Sequence, residues 1–227
     1  MGPVIVSLLP FILGSAIVPG QIIINILLLK SPQRGVLKSV AYVGGITTMR
    51  LLQGIVFGLI LTGETAATAE EGGGPGPVVS TLLLVLGILL LITAYKQWAK
   101  EDDPDAPPPK WLAMIDSATV VKAFGIGFGL MVIGAKFWVF TLSAIAAIGE
   151  AQLGQPSSTI AFLIFVLLAE SLLLIPILLR LILPTQSRSL LEGISNFLTR
   201  YNRPIVIAVA LIFGLLFLYQ GVSGLLS

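Results

Sequence analysis

Long runs of apolar residues alternate with short polar connections along the whole chain. Six of these runs are long enough to cross about 30 Å of hydrocarbon as α-helices. They lie near residues 3–29, 39–63, 78–96, 118–147, 159–183 and 204–226. The pattern predicts an all-α, polytopic membrane protein with six transmembrane helices. The first run is interpreted as a retained span, because no basic segment precedes it.

Two of the runs are too long for a straight span and contain residues that disrupt helices. Twenty-seven residues of helix, as in the first run, would reach about 40 Å. The first run contains Pro19-Gly20, and the fourth contains Gly134. Proline removes a backbone donor and clashes with the preceding turn, and glycine lowers helix propensity. The first and fourth helices are therefore predicted to be broken or kinked, and a simple kink is predicted at Pro176.

Glycine spacing also predicts close contacts between helices. Gly54 and Gly58 in the second run, and Gly125 and Gly129 in the fourth, form Gly-x-x-x-Gly patterns. Such patterns allow helix backbones to approach each other in a membrane.

The distribution of charge predicts the orientation of the chain. Lysines and arginines outside the mid-span positions lie in the first, third and fifth connections, whereas the second and fourth connections contain only acidic charges. Because basic residues concentrate in cytoplasmic loops, the odd-numbered connections are predicted to be cytoplasmic. Both termini then face outward, in an N-out/C-out arrangement.

A proline-rich, charged segment divides the chain into two groups of three runs. The predicted organisation is a first three-helix repeat at 1–99, a cytoplasmic linker at 100–117 and a second repeat at 118–227. Because each repeat has an odd number of spans, the second repeat is inserted in the opposite orientation to the first. Such inverted repeats recur among transporters. The second run of each repeat carries one mid-membrane charge, Arg50 in one and Glu170 in the other.

Three ionisable residues, Arg50, Lys136 and Glu170, lie near the middle of apolar runs. A charge at the bilayer centre costs roughly 2.5–3.5 kcal/mol even on lenient scales, so such residues face one another or a wet cavity. Two interpretations stay open. In one, Arg50 and Glu170 form a structural ion pair and Lys136 binds carbonyls freed at a helix break. In the other, the surplus positive charge binds an anionic group of a substrate.

The second interpretation assigns roles to polar and helix-breaking residues at similar depth. Glu170 is predicted to bind the coupling proton, because burial favours the uncharged form of a carboxyl group. For Gln21 and Asn25, hydrogen bonds between helices are an equal alternative to substrate contact. The candidate substrate-binding residues are Pro19, Gly20, Gln21, Asn25, Thr47, Arg50, Gln53, Gly134 and Lys136.

Composition excludes several kinds of chemistry. Of the 227 residues, 56% are hydrophobic and 11% are charged, and there is no Cys or His. Disulfide chemistry, thiolate metal sites and imidazole relays are therefore excluded. With one buried carboxylate, a nucleophile and base pair is hard to assemble. We therefore expect neither an enzyme nor a bound cofactor or metal.

Four short motifs carry a resemblance to a known family. They are VPGQIIIN in the first run, YVGGITTMRLLQG in the second, PPPKWLAMID in the linker and VIGAKFWVF in the fourth run. Together they resemble the lysine exporter superfamily and, within it, the GAP or sulfolipid- and glycopeptidolipid-addressing family. That family usually reads Asn-Pro-Lys in the fourth span, where this chain has Gly134-Ala135-Lys136. The resemblance implies an exporter or lipid translocator in the plasma (inner) membrane of a prokaryote.

The favoured hypothesis is a proton-coupled secondary exporter that works by alternating access. Its substrate is a small anionic or zwitterionic, amino-acid-like solute or an anionic lipid headgroup. The alternative is a non-transporting membrane subunit or chaperone that assists lipid or envelope assembly. The expected partners are membrane lipids and the substrate, with a second copy of the chain as a further candidate and no nucleic acid.

Overall fold

The computed structural model describes residues 2–68, 77–100, 115, 117–184 and 186–226. Within these ranges the chain is helical and has no β-strand. Most of the linker predicted at 100–117 lies outside them, so the division into two repeats stays a prediction. The helices are α1 (Gly2–Ala16), α2 (Pro19–Lys30), α3 (Gly35–Thr68), α4 (Pro77–Ala99), α5 (Val120–Ile133), α6 (Ala135–Glu150), α7 (Ser157–Ala169), α8 (Ser171–Ile182) and α9 (Ser187–Leu226).

Three of the described helices, α3, α4 and α9, are long and apolar enough to cross a membrane alone. The other six form three pairs that meet the same criterion together and bend sharply at a short break. The bends are 59° between α1 and α2, 75° between α5 and α6, and 63° between α7 and α8. Six spans result if each bent pair crosses once. The helices therefore indicate a polytopic membrane protein.

The breaks predicted in the first and fourth runs are both present. Pro19 is the first residue of α2, a position where its missing N–H is not needed. Gly134 separates α5 from α6 with φ −80° and ψ 94°. A Cβ atom on Gly134 would lie 2.9 Å from the carbonyl oxygen of Leu130, so the tight turn favours glycine.

The fifth run is broken at Glu170, where no break was predicted, and the kink predicted at Pro176 stays a prediction. Glu170 separates α7 from α8 with φ −102° and ψ 1°, whereas Pro176 lies inside the continuous helix α8. The break leaves Glu170 next to the N-terminus of α8, where a negative charge is favourable. No proline or glycine marks this position in the sequence, so local helix propensity does not account for the bend.

The last helix begins much earlier than predicted. An apolar run places its start at residue 204, but α9 is continuous from Ser187 and carries Pro204 inside it. The added segment, SRSLLEGISNFLTRYNR, alternates apolar and polar residues at helical spacing. A search for uniformly apolar runs misses such an amphipathic helix.

Two hydrophobic cores lie between the helices. One contains a group of aromatic rings, in which Phe217 stacks on Phe11 and meets Phe140 edge-on. The other surrounds Tyr42 and Met131, both fully buried. The two cores lie on different sides of the breaks in the first and fourth spans, because α1 and α6 supply the first core and α2 and α5 supply much of the second.

Glycines permit close helix contacts, and of the four in the predicted Gly-x-x-x-Gly patterns only Gly54 takes part, since a Cβ atom there would collide with the ring of Phe162. A Cβ atom on Gly127 would collide with the backbone oxygen of Tyr42, whereas one on Gly125 or Gly129 would meet nothing within 4 Å. The α3–α5 contact therefore uses a glycine between the two pattern positions. Between α4 and α9, a Cβ atom on Gly87 would lie 2.7 Å from the backbone nitrogen of Leu218.

Two neighbouring glycines of α5 provide a matched test of this packing. Gly127→Ala is expected to destabilise the protein by about 1–3 kcal/mol, because the added methyl group overpacks the α3–α5 contact. Gly125→Ala should be neutral or stabilising, since it adds helix propensity in open space. Thermal unfolding in detergent compares the two variants. Equal stabilities would contradict the observed packing.

Candidate functional site

Arg50 and Glu170 form a buried ion pair between α3 and the α7–α8 break. The Arg50 Nε atom lies 3.5 Å from Glu170 Oε1, and the two side chains are 1% and 4% exposed. The guanidinium carbon lies 5.5 Å from the ring centroid of Phe165, a favourable cation–π distance. The separation exceeds the 2.7–2.9 Å or so of a strong charge-assisted hydrogen bond. The pair is therefore electrostatically joined without a direct short bond.

Thr47 supports the carboxylate of this pair from one turn earlier on α3. Its hydroxyl group lies 2.6 Å from Glu170 Oε2 and 2.9 Å from the carbonyl oxygen of Val43. One hydroxyl proton can be donated to only one of these oxygens at a time. When Glu170 is ionised, Thr47 donates to the carboxylate. When Glu170 is protonated, the acid can donate to Thr47, which then donates to Val43.

Several buried polar atoms near this pair have no hydrogen-bond partner in the described part of the chain. They include Arg50 Nε and Nη1, Glu170 Oε1 and both amide atoms of Gln53, one turn further along α3. Gln21 Nε2 is also unpaired. Buried polar groups are nearly always satisfied by protein or water. The surroundings of Arg50 and Gln53 therefore have capacity for water or a polar ligand.

Asn25, in contrast, is fully engaged with neighbouring helices. Its amide nitrogen donates to the carbonyl oxygen of Leu173 at 2.7 Å, and its amide oxygen accepts a hydrogen bond from the hydroxyl of Ser39. These bonds join α2 to α8 and α3. The geometry is that of the helix-to-helix alternative considered for this residue.

Lys136 lies elsewhere, at a cavity of about 230 Å³ formed where the first and fourth spans are broken. The ammonium group lies 5.0 Å from the ring centroid of Phe137 and forms no ion pair with any described carboxylate. The cavity wall combines polar and apolar side chains. Its lining residues are Gly14, Ile17, Val18, Pro19, Gly20, Leu90, Thr93, Gln97, Lys136, Phe140, Asn202, Val206, Val209, Ala210 and Phe213.

Two helices begin at this cavity. Pro19 and Gly20 are the first residues of α2, and Lys136 is the second residue of α6. A helix N-terminus carries partial positive charge and unsatisfied N–H groups. The lysine and the two helix ends therefore make one side of the cavity electropositive and suited to an anionic group.

The predicted site residues are thus divided between two places. Pro19, Gly20 and Lys136 line the cavity, and Gly134 forms the adjacent break. The remaining candidates do not line it. Arg50, Thr47 and Glu170 contact one another, with Gln53 one turn further along α3.

Three further polar residues that line the cavity were not predicted from the sequence. Thr93 and Gln97 lie four residues apart on α4, and Asn202 lies on α9. The i, i+4 spacing of two polar residues inside an apolar span was the available signal. No such signal marked Asn202, because it lies between the fifth and sixth apolar runs, in a segment interpreted as a connection.

Comparison with known proteins gives one match. The sequence model of a family described as Sap, sulfolipid-1-addressing protein, matches residues 8–223. Neither the curated proteins nor the solved structures contain a match.

Proposed function

The chain belongs to the Sap, or sulfolipid-1-addressing protein, family, and on this premise we propose that it moves an anionic lipid across the membrane by alternating access. The family places the protein in lipid handling. A sulfolipid has an anionic headgroup, and the family name supports that class of substrate for this chain. We also propose that the protein has no catalytic role.

The observation that carries the proposal is the mixed character of the Lys136 cavity. One side presents the lysine ammonium group and two helix N-termini, while Leu90, Phe140 and Phe213 make other parts of the wall apolar. A headgroup anion would be held by the lysine and the partial positive charge of the two helix N-termini, and the first carbons of the lipid by the apolar wall. A volume of about 230 Å³ accommodates a headgroup rather than a whole lipid.

The cavity in this conformation faces the side where basic residues concentrate. Gln97 and Asn202 line the cavity and lie near Lys96, Lys100 and Arg203 in the sequence. By the positive-inside rule this side is cytoplasmic. The proposed conformation is therefore open to the cytoplasm, and the substrate is loaded there for export.

The helix contacts support the inverted-repeat arrangement. In that arrangement α1 and α2 correspond to α5 and α6, α3 corresponds to the α7–α8 pair, and α4 corresponds to α9. The contacts of α3 with α5 and α6 then correspond to the contacts of α7 with α1 and of α8 with α2. Likewise, the α4–α6 contact corresponds to the α2–α9 contact, and the α4–α9 contact corresponds to itself. This pairing is what a pseudo-twofold axis through the α4–α9 contact would produce.

The Arg50–Glu170 pair is proposed as the coupling element. A proton on Glu170 would remove its charge and so its attraction to Arg50, whose unpaired N–H groups would need other partners. Because Glu170 is also the hinge between α7 and α8, its protonation would act directly on a bent span. The proton would thus bias the equilibrium between the two access states.

A pH gradient across proteoliposomes tests this coupling. Movement of fluorescently labelled phosphatidylglycerol between leaflets is measured from the label accessible to dithionite outside. The wild type should respond to the gradient, and Glu170→Gln should retain at most gradient-independent movement. Glu192→Gln removes an exposed carboxylate and serves as the control. An undiminished gradient response of Glu170→Gln would overturn the coupling role.

The alternative, a non-transporting subunit, agrees with the family description, which speaks of addressing a lipid rather than transporting it. It predicts no leaflet exchange by the purified protein, together with a partner protein that copurifies in stoichiometric amount. Exchange by the purified protein alone would exclude it.

A further inference from the structure

The first 17 residues of α9, residues 187–203, form an amphipathic segment that is joined to two other helices by polar contacts. Near its start, Glu192 lies 3.7 Å from Lys30, the last residue of α2. At its end, Arg203 donates hydrogen bonds to the carbonyl oxygens of Gln97 and Trp98, in the last turn of α4, at 2.9 Å each. Both α2 and α4 end at the basic, cytoplasmic side.

These two contacts indicate that the segment lies along the membrane surface. Arg203 follows Glu192 by eleven positions along the helix, a rise of about 17 Å. A helix of this length directed straight into the cytoplasm would carry one of its ends far from the surface. Since both contacts are to helix ends predicted to be cytoplasmic, a segment that joins them is expected to lie close to the interface plane, and Pro204 follows its last residue inside the continuous helix α9.

The side chains of the segment divide into three faces. One face is buried against the protein and contains Ser187, Leu191 and Ser195, at most 7% exposed. A second is an exposed apolar stripe at i, i+4, i+7 and i+11. Its members are Leu190, Ile194, Phe197 and Tyr201, which are 37–55% exposed.

The third face is polar and basic. Ser189, Asn196 and Arg200 follow one another at i, i+7 and i+11, on the side opposite the buried face and about 110° around the helix from the apolar stripe. Arg188 is also exposed, and Glu192, the one acidic residue of the segment, is paired with Lys30. A helix with an exposed apolar stripe and a basic face is typical of segments that bind anionic lipid surfaces.

We propose that residues 187–203 are an interfacial helix that binds anionic lipid in the cytoplasmic leaflet. Leu190, Ile194, Phe197 and Tyr201 insert among the lipid chains, and Arg188 and Arg200 bind headgroups. Anionic lipid is the proposed ligand because the exposed charged side chains of the segment are mainly positive. This lipid contact does not depend on transport.

The position of the segment gives it a further role, which does rest on the proposed function. Asn202, in its last turn, lines the Lys136 cavity. Anionic lipid collected along the segment is therefore next to the open end of that cavity. The segment raises the local concentration of the headgroup that Lys136 is proposed to bind.

The depth of the segment is tested with single cysteines, because the chain contains none of its own. Phe197→Cys and Asn196→Cys place a spin label on adjacent residues of the stripe and the polar face. Both are reconstituted in vesicles of equal parts phosphatidylcholine and phosphatidylglycerol. The label at 197 should be accessible to lipid-soluble oxygen and that at 196 to a water-soluble nickel complex. Two labels equally accessible to nickel would overturn the interfacial position.

The charge preference is tested separately with Arg188→Gln and Arg200→Gln. In the same vesicles, the preference of protein-bound lipid for spin-labelled phosphatidylglycerol over phosphatidylcholine should fall by about fivefold for each arginine. Thr199→Ala changes an exposed, uncharged side chain next to Arg200 and should leave the preference unchanged. An unchanged preference in the arginine variants would overturn the headgroup contact. Neither assay measures leaflet exchange, so a failure here is distinct from a failure of the transport proposal.

Discussion

Lys136→Gln is expected to weaken binding of an anionic headgroup roughly tenfold to hundredfold and to slow leaflet exchange correspondingly. A hydrogen bond to a charged group contributes about 1.5–3 kcal/mol, and each 1.4 kcal/mol or so is a factor of ten. Binding of phosphatidylglycerol to the purified protein in detergent, and its exchange in proteoliposomes, measure the two effects.

The fold should tolerate this substitution, because Lys136 forms no ion pair within the described ranges and glutamine keeps its stem. Lys122→Gln is the matched control, since it removes a lysine from the same broken span but at an exposed position outside the cavity. Equal binding by the two variants would show that the cavity lysine does not recognise the headgroup.

Glu170→Gln is expected to lower the free energy of unfolding by about 3–5 kcal/mol, because it leaves Arg50 buried and without its carboxylate. Arg50→Met should have an effect of similar size, since it isolates Glu170. Denaturation in mixed micelles, at a pH where the wild-type pair is ionised, measures both losses. Lys30→Gln, which breaks the exposed pair with Glu192, should cost only about 0–1 kcal/mol.

The double variant Arg50→Met/Glu170→Leu separates the two roles of the pair. Replacement of a buried ion pair by apolar residues of similar volume is often neutral or stabilising. The double variant should therefore recover most of the lost stability while losing the response of transport to a pH gradient. Recovery of both stability and gradient response would show that the pair is only structural.

The sequence predicted the architecture well where one residue determines the local structure. Pro19-Gly20 and Gly134 act through their own backbone restrictions, so both breaks could be located without knowledge of the neighbours. The mid-membrane position of Arg50 and Glu170 likewise indicated that they would meet, because isolated charges are costly there.

The sequence could not predict features that depend on tertiary contacts. The break at Glu170 has no proline or glycine, and the carboxylate there accepts a hydrogen bond from Thr47, which is 123 residues away in the sequence. The separation of Lys136 from Arg50 depends on the direction in which the broken halves of the spans turn. For the fourth span, a 75° bend between α5 and α6 sets that direction. The hydrophobic periodicity of the sequence gives no information on the direction of a bend.

A cryo-electron microscopy structure in lipid nanodiscs containing phosphatidylglycerol would show directly whether Lys136 holds the headgroup of an anionic lipid. We expect headgroup density in the cavity, with an anionic oxygen about 2.7–3.2 Å from Lys136 Nζ. Headgroup density beside Arg50 and Gln53, with none at Lys136, would contradict this expectation.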